Sequence, residues 1–164
     1  MSHDALFQLG MGSVSLNAAQ AEDQTTADAS AGSRGTPSQE PADHFIEKDG
    51  ITCAGAHLII DLFGAERLDD IDYISDTLRS CVEVAGATLL HIHLHPFEPN
   101  GGVSGVAVLA ESHISIHSWP ERSYAALDVF MCGDAQPERC VEVLRRAFRP
   151  ERIAVQELLR GRGA

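Results

Sequence analysis

Residues 102–134 read GVSGVAVLAESHISIHSWPERSYAALDVFMCGD, and this one stretch holds three strand signals. Val103 to Leu109 is a β-branched run. His113 to Trp119 alternates strictly, with Ile114 and Ile116 on one face and His113, Ser115 and His117 on the other. Pro120 closes that strand because it has no N–H to give a ladder. Tyr124 to Phe130 is the next strand. Ser112 precedes the alternating run.

Outward from this core the pattern continues in both directions. Thr88 to His95 alternates as a strand, and Phe97-Glu-Pro-Asn-Gly-Gly102 is a loop by its Pro and Gly content. Between Glu66 and Ala85, Ile71, Ile74, Leu78, Cys81, Val82 and Ala85 fall at helical spacing, and Gly86 stands where a C-cap belongs. His57 to Phe63 is a short apolar run that suits a buried strand. On the other side, Pro137 fits the first turn of a second helix, whose stripe is Cys140, Val141, Leu144, Ala147 and Phe148. Ile153 to Leu158 is a last strand. The order is β-α-β-β-β-β-α-β. It predicts an α+β two-layer sandwich, with a mostly antiparallel sheet and helices on one face. The other sheet face keeps apolar residues and is expected to dimerise through the sheet, against a second copy.

The chain has 164 residues, enough for one domain with a modest core, which we place at 50–164. Residues 1–49 form an N-terminal extension. Gln20 to Asp43 lacks apolar periodicity and reads as disordered, while Met1 to Leu16 has scattered apolar residues that suit a transient helix. The net charge of -12 argues against a nucleic-acid partner, because phosphate binding needs clustered Lys and Arg. Seven of the twelve basic residues do lie between Arg139 and Arg162, which reads as a solvated helix face plus a tail. No apolar stretch reaches the length of a membrane span, and no signal peptide is visible, so a cytoplasmic location is the expectation.

Cys53, Cys81, Cys132 and Cys140 form no C-x-x-C pair, which disfavours a structural zinc site. Lys48 is the only lysine and precedes the strong strand signals. Pyridoxal-phosphate chemistry needs a lysine to hold the aldehyde, so imine chemistry here would need another carbonyl. A serine is one source. Its hydroxyl attacks the preceding peptide carbonyl to give an ester, and β-elimination then cuts the chain. The dehydroalanine left behind loses ammonia to water and becomes a pyruvoyl group.

The string ESHISIHSWPE at 111–121 contains rare residue types in a fixed order. With its flanks it resembles the prokaryotic S-adenosylmethionine decarboxylase family, a pyruvoyl-dependent family, over roughly His57 to Gly161. The resemblance implies cleavage between Glu111 and Ser112, giving a β chain 1–111 and an α chain 112–164 headed by a pyruvoyl cofactor made from Ser112. It implies that His117 takes the proton during processing and that Ser104 assists, by hydrogen-bonding the tetrahedral intermediate. Cys132 matches the family's proton donor in decarboxylation. Glu121 matches a glutamate that binds the ribose hydroxyls of S-adenosylmethionine. Phe97 and Trp119 are candidates for stacking on adenine, with core packing as the ordinary alternative for both. We expect αβ units that form a homodimer or larger assembly, with active sites near the sheet-to-sheet interface, and the residues named here require no metal. Two departures stand out: one extra residue in the loop before Ser104, and Ser123 where glycine is usual.

Three other readings stay open at this level. A pyruvoyl decarboxylase of arginine or ornithine would use the same machinery with another pocket. His91, His93 and His95 share one strand face, and with His113 and His117 they suggest a metal-binding protein. A catalytically dead paralogue would bind and regulate an active partner, but Ser104, Ser112, His117 and Cys132 are all present.

Overall fold

A computed structural model of the chain describes residues 44–110 and 112–164. The expectations for the remainder of the N-terminal extension, and for Glu111 itself, lie outside the described residues.

The eight predicted elements are all present in the predicted order. A hairpin precedes them, with strands β1 (Ile46–Lys48) and β2 (Ile51–Cys53) joined through left-handed Asp49 and Gly50. This hairpin straddles the expected boundary at 49/50, so regular structure begins within the segment assigned to the extension. Polar Glu47 and Lys48 hid it from a periodicity reading. Lys48 belongs to this hairpin and is ion-paired with Glu157. The hydrogen bond that Lys48 donates to Glu157 raises its pKa, holding the lone lysine protonated and unsuited to imine formation.

The main sheet has six strands: β3 (Gly55–Phe63), β4 (Leu89–Phe97), β5 (Gly102–Leu109), β6 (Ser112–Trp119), β7 (Tyr124–Met131) and β8 (Arg152–Arg160). Their order across the sheet is β4-β5-β6-β7-β3-β8, and every neighbouring pair is antiparallel. Ser112 is the first residue of β6, not a residue ahead of it. The quoted stretch therefore supplies three adjacent strands, β5, β6 and β7, at the middle of the sheet.

Helices α1 (Ile71–Ala85) and α2 (Arg139–Phe148) cover one face. α1 starts later than Glu66 because Asp70 caps it, accepting from the Tyr73 N–H at 3.0 Å. Gly86 ends it in the left-handed region at φ 75°. α2 likewise begins at Arg139, two residues after Pro137, whose carbonyl accepts from the Cys140 N–H. Leu58, Ile60 and Leu62 of β3, Ile114 and Ile116 of β6, and Leu127 and Val129 of β7 face the helices and are buried with Ile74, Leu78, Leu144 and Phe148. Cys81 and Cys140 meet between the helices, each thiol donating to the other residue's carbonyl, at 3.9 and 3.5 Å.

The register sets the opposite face in rows. His57, Phe130, His113, Val108 and His91 form one row. Ile59, Asp128, Ser115, Val106 and His93 form the next, followed by Asp61, Ala126, His117, Ser104 and His95. Phe63, Tyr124 and Trp119 begin the last, next to Phe97 at the end of β4. This face carries Ile59, Phe63, Phe130, Val106, Val108 and Trp119, and among the described residues no helix lies over it.

Candidate active site

Strand β6 carries the site, and its two ends do different things. At its start the register pairs Ser112 with Leu109. The Ser112 Oγ accepts a hydrogen bond from the Cys132 N–H at 3.2 Å. Cys132 follows the last residue of β7, so the antiparallel pairing of β6 with β7 brings the hydroxyl and thiol residues together. Both line a cavity of about 270 Å³ at the end of α1, together with Thr88, Ala110 and Asp134. Gly55 walls the thiol: a Cβ there would lie 2.4 Å from the Met131 carbonyl and 3.1 Å from Cys132 Sγ. Only a glycine lets β3 start so close to this thiol.

Toward the other end of β6, on the helix-free face, Ser104 stands directly opposite His117 in the ladder. Ser104 Oγ and His117 Nδ1 are 2.8 Å apart, a hydrogen bond. Side chains of directly opposed residues in an antiparallel pair reach one another, and this pair is the result. Beside it is a second cavity of about 340 Å³, lined by Phe97, Asn100, Ser104, Trp119 and Glu121. Phe97 is 50% exposed and Trp119 40% exposed, so neither is a core residue. Trp119 stacks on Tyr124 with ring centroids 5.3 Å apart and planes 29° from parallel. Glu121 sits in the 3-10 turn Pro120–Arg122 that follows β6.

The structure thus joins Ser112 to Cys132, and Ser104 to His117, Phe97, Trp119 and Glu121. It does not join the two groups within one chain. The five residue steps of extended strand from Ser112 to His117 span about 16 Å. Sequence spacing had placed both on one short motif, and that nearness in the chain is distance along a strand.

Several site residues were not picked out by the sequence reading. Ser118 is buried and accepts from the Val103 N–H at 2.8 Å while donating to the Leu68 carbonyl at 2.7 Å, tying β5 and the loop before α1 to β6. Alternation gave its facing but no sign of these partners. Tyr124 donates to Asp61 at 2.5 Å, and this bond with partial burial raises its pKa. His44 lines the Ser112 cavity, and no periodicity marks it. Ser123, the departure from glycine, adopts φ 48°, ψ 40°. That left-handed conformation is the reason glycine suits this position.

His91, His93 and His95 do share the helix-free face, along edge strand β4. Among the described residues, no group of three His, Cys, Asp or Glu side chains converges to hold a metal ion.

The sequence profile of the family described as S-adenosylmethionine decarboxylase matches residues 56–161. The chain is 45% identical over 108 residues to the S-adenosylmethionine decarboxylase proenzyme of Thermomicrobium roseum, covering 65% of this chain and 93% of that one. It is 49% identical over 109 residues to the protein of the same name from Parasynechococcus marenigrum, covering 65% and 84%. The crystal structure of the adenosylmethionine decarboxylase from Aquifex aeolicus superposes with a TM-score of 0.60 at 35% identity, covering 66% of this chain and 92% of that one. Fold and sequence together define a decarboxylase. The chain belongs to the S-adenosylmethionine decarboxylase family.

Proposed function

We propose that this chain is a self-cleaving proenzyme, and that its cleaved αβ form decarboxylates S-adenosyl-L-methionine to S-adenosyl 3-(methylthio)propylamine and carbon dioxide. The observation that carries the reading is the meeting of Ser112 and Cys132 in one cavity, in a member of this family. The Cys132 N–H holds the Ser112 oxygen by a lone pair and leaves its O–H free to be taken by a base. Attack on the Glu111 carbonyl gives the ester. His117 removes the Ser112 Cα proton, the Cβ–Oγ bond of the ester breaks to leave dehydroalanine, and Glu111 leaves as the C-terminal carboxylate of the β chain. Ser104, already bonded to His117, orients the imidazole and meets the oxyanion of the ester-forming step.

The pyruvoyl carbonyl supplies an electron sink that accepts the substrate amine and the charge left when carbon dioxide departs. The residues around Ser112 fit such a group: a half-buried hydroxyl position beside a thiol, in a cavity open enough for an amino acid. Cys132 returns a proton to the substrate α-carbon. The second cavity suits the nucleoside: Phe97 and Trp119 offer faces for adenine, and Glu121 a carboxylate for two ribose hydroxyls. Arginine and ornithine present neither a flat ring nor a vicinal diol, so this cavity favours S-adenosylmethionine. The product is an aminopropyl donor of the kind spermidine synthesis consumes. Among the described residues no helix is long and apolar enough to cross a membrane.

Processing needs His117 beside Ser112, and one chain holds them about 16 Å apart. A second copy laid over the helix-free face, with its strands reversed by a two-fold axis, resolves this. An axis crossing β6 between Ile114 and Ser115 sets the His117 of each copy over the Ser112 end of the other. The apolar residues of that face would be covered in the same step. We therefore read the functional unit as a dimer of αβ units with two shared sites.

Intact-mass measurement of the purified full chain tests the reading. Two fragments divided after Glu111 are expected, with the lighter one short of a free amine and reactive toward carbonyl reagents. Carbon dioxide release from S-adenosylmethionine, and not from arginine or ornithine, is expected of the cleaved form. A single uncleaved chain with full activity would sink the proposal.

A further inference from the structure

The cavity that holds Ser112 and Cys132 contains an imidazole that comes from outside the family match. His44 lies ahead of β1, whereas the match begins at residue 56. Its carbonyl accepts the Gly133 N–H at 3.0 Å, which fastens this segment to the residue directly after Cys132. Its ring lies against the Gly133 backbone: a Cβ built there would be 3.4 Å from His44 Nδ1. Gly133, at φ 59°, leaves that space open. His44 is exposed while Cys132 is half-buried, and both line the same cavity, so the imidazole is open to solvent beside the thiol's cavity. Asp134 is the other titratable side chain of the described cavity lining.

The chemistry has a place for such a group. Decarboxylation exchanges a carboxylate for a hydrogen, so every turnover consumes one proton. Under the reading above, on which this inference rests, Cys132 gives that proton to carbon and is left a thiolate. It must be reprotonated before the next turnover. A thiolate shielded by Gly55 and the β7 end is poorly placed to collect a proton from bulk water. An imidazole exchanges protons readily near neutral pH.

We propose that His44 is the proton relay to Cys132. The imidazolium N–H passes its proton to the Cys132 sulfur, and the neutral ring recovers one from solvent. His44 is then a positioning and relay residue acting through Cys132, and this chain's N-terminal extension completes its own active site.

The test uses the full-length processed enzyme with His44→Ala and His44→Gln. Both keep the carbonyl bond to Gly133, so the segment stays anchored. Self-cleavage is expected to remain complete in each. The rate of carbon dioxide release is expected to fall at least tenfold in kcat with little change in KM. The pH profile of kcat is expected to lose the limb set by the imidazole. Added imidazole buffer is expected to restore His44→Ala in proportion to the concentration of its acid form, an effect a structural role would not give. An unchanged kcat and pH profile would overturn the relay, and so would a loss that imidazole does not restore. A wild-type chain that neither cleaves nor releases carbon dioxide would instead refute the enzymatic reading. Full activity in Cys132→Ala would remove the thiol's role and the relay with it.

Discussion

A mixed-chain experiment puts the shared site at risk most directly. Ser112→Ala removes the nucleophile and keeps His117; His117→Ala removes the base and keeps Ser112. Each alone is expected to stay uncleaved. Within one chain, a hydrogen bond's reach of about 3 Å leaves His117 roughly 13 Å short of its own Ser112. In a two-fold dimer the groups come from different chains. A mixed dimer of the two variants then holds one site with both substitutions and one with neither. Random pairing at equal amounts gives about half mixed dimers, and in these every His117→Ala chain is expected to be cleaved, with one of the two sites restored. Ser112→Ala chains stay whole throughout. The assay is co-expression with distinguishable tags, isolation of doubly tagged material and intact-mass analysis of each chain. If doubly tagged dimers form and no His117→Ala chain is cleaved, the shared-site geometry is wrong.

Other expectations follow from single positions. Ser118→Ala strands the Val103 N–H and the Leu68 carbonyl in a buried setting; about 3 kcal/mol of stability should be lost. Measured by urea unfolding in the uncleaved Ser112→Ala background at fixed concentration, a loss under about 0.5 kcal/mol would show that these bonds are replaced by water. Ser123→Gly relieves a left-handed serine and should stabilise by about 1 kcal/mol in the same assay, with processing unchanged. Hydrogen bonding to Cys140 and burial hold the Cys81 thiol well above its ordinary range. Iodoacetamide at pH 8 should therefore spare Cys81 in the folded protein and label it after denaturation. A raised thiol pKa stabilises the fold fully below the ordinary thiol range, and this contribution is lost as pH rises from that range through the raised value of the folded state. Labelling of native Cys81 as fast as of the unfolded chain would contradict the packing of α1 on α2.

Legibility in the sequence followed the physics of each signal. Strict alternation at His113–Trp119 fixed β6 and its two faces, because a strand's period of two admits no other reading of that pattern. The stripes ending at Gly86 and running from Cys140 to Phe148 fixed both helices, since apolar residues at helical spacing must share a buried face. The β1–β2 hairpin escaped because its strands are three residues long and half polar. Ser123 could be named as a departure from glycine on sequence alone, but its left-handed backbone is visible only where the turn after β6 is folded.

The sequence by itself determined the element order, the family resemblance and the identity of the residues that carry the chemistry. Those depend on residue types and short-range spacing, which a linear string contains. Only the tertiary structure decided which of them meet. Antiparallel pairing placed Ser104 against His117 across thirteen residues of chain and Cys132 against Ser112 across twenty, while the rise of β6 held Ser112 and His117 apart. Proximity in an extended strand is set by register with its neighbours and not by position along it, so a motif of eleven residues became two half-sites.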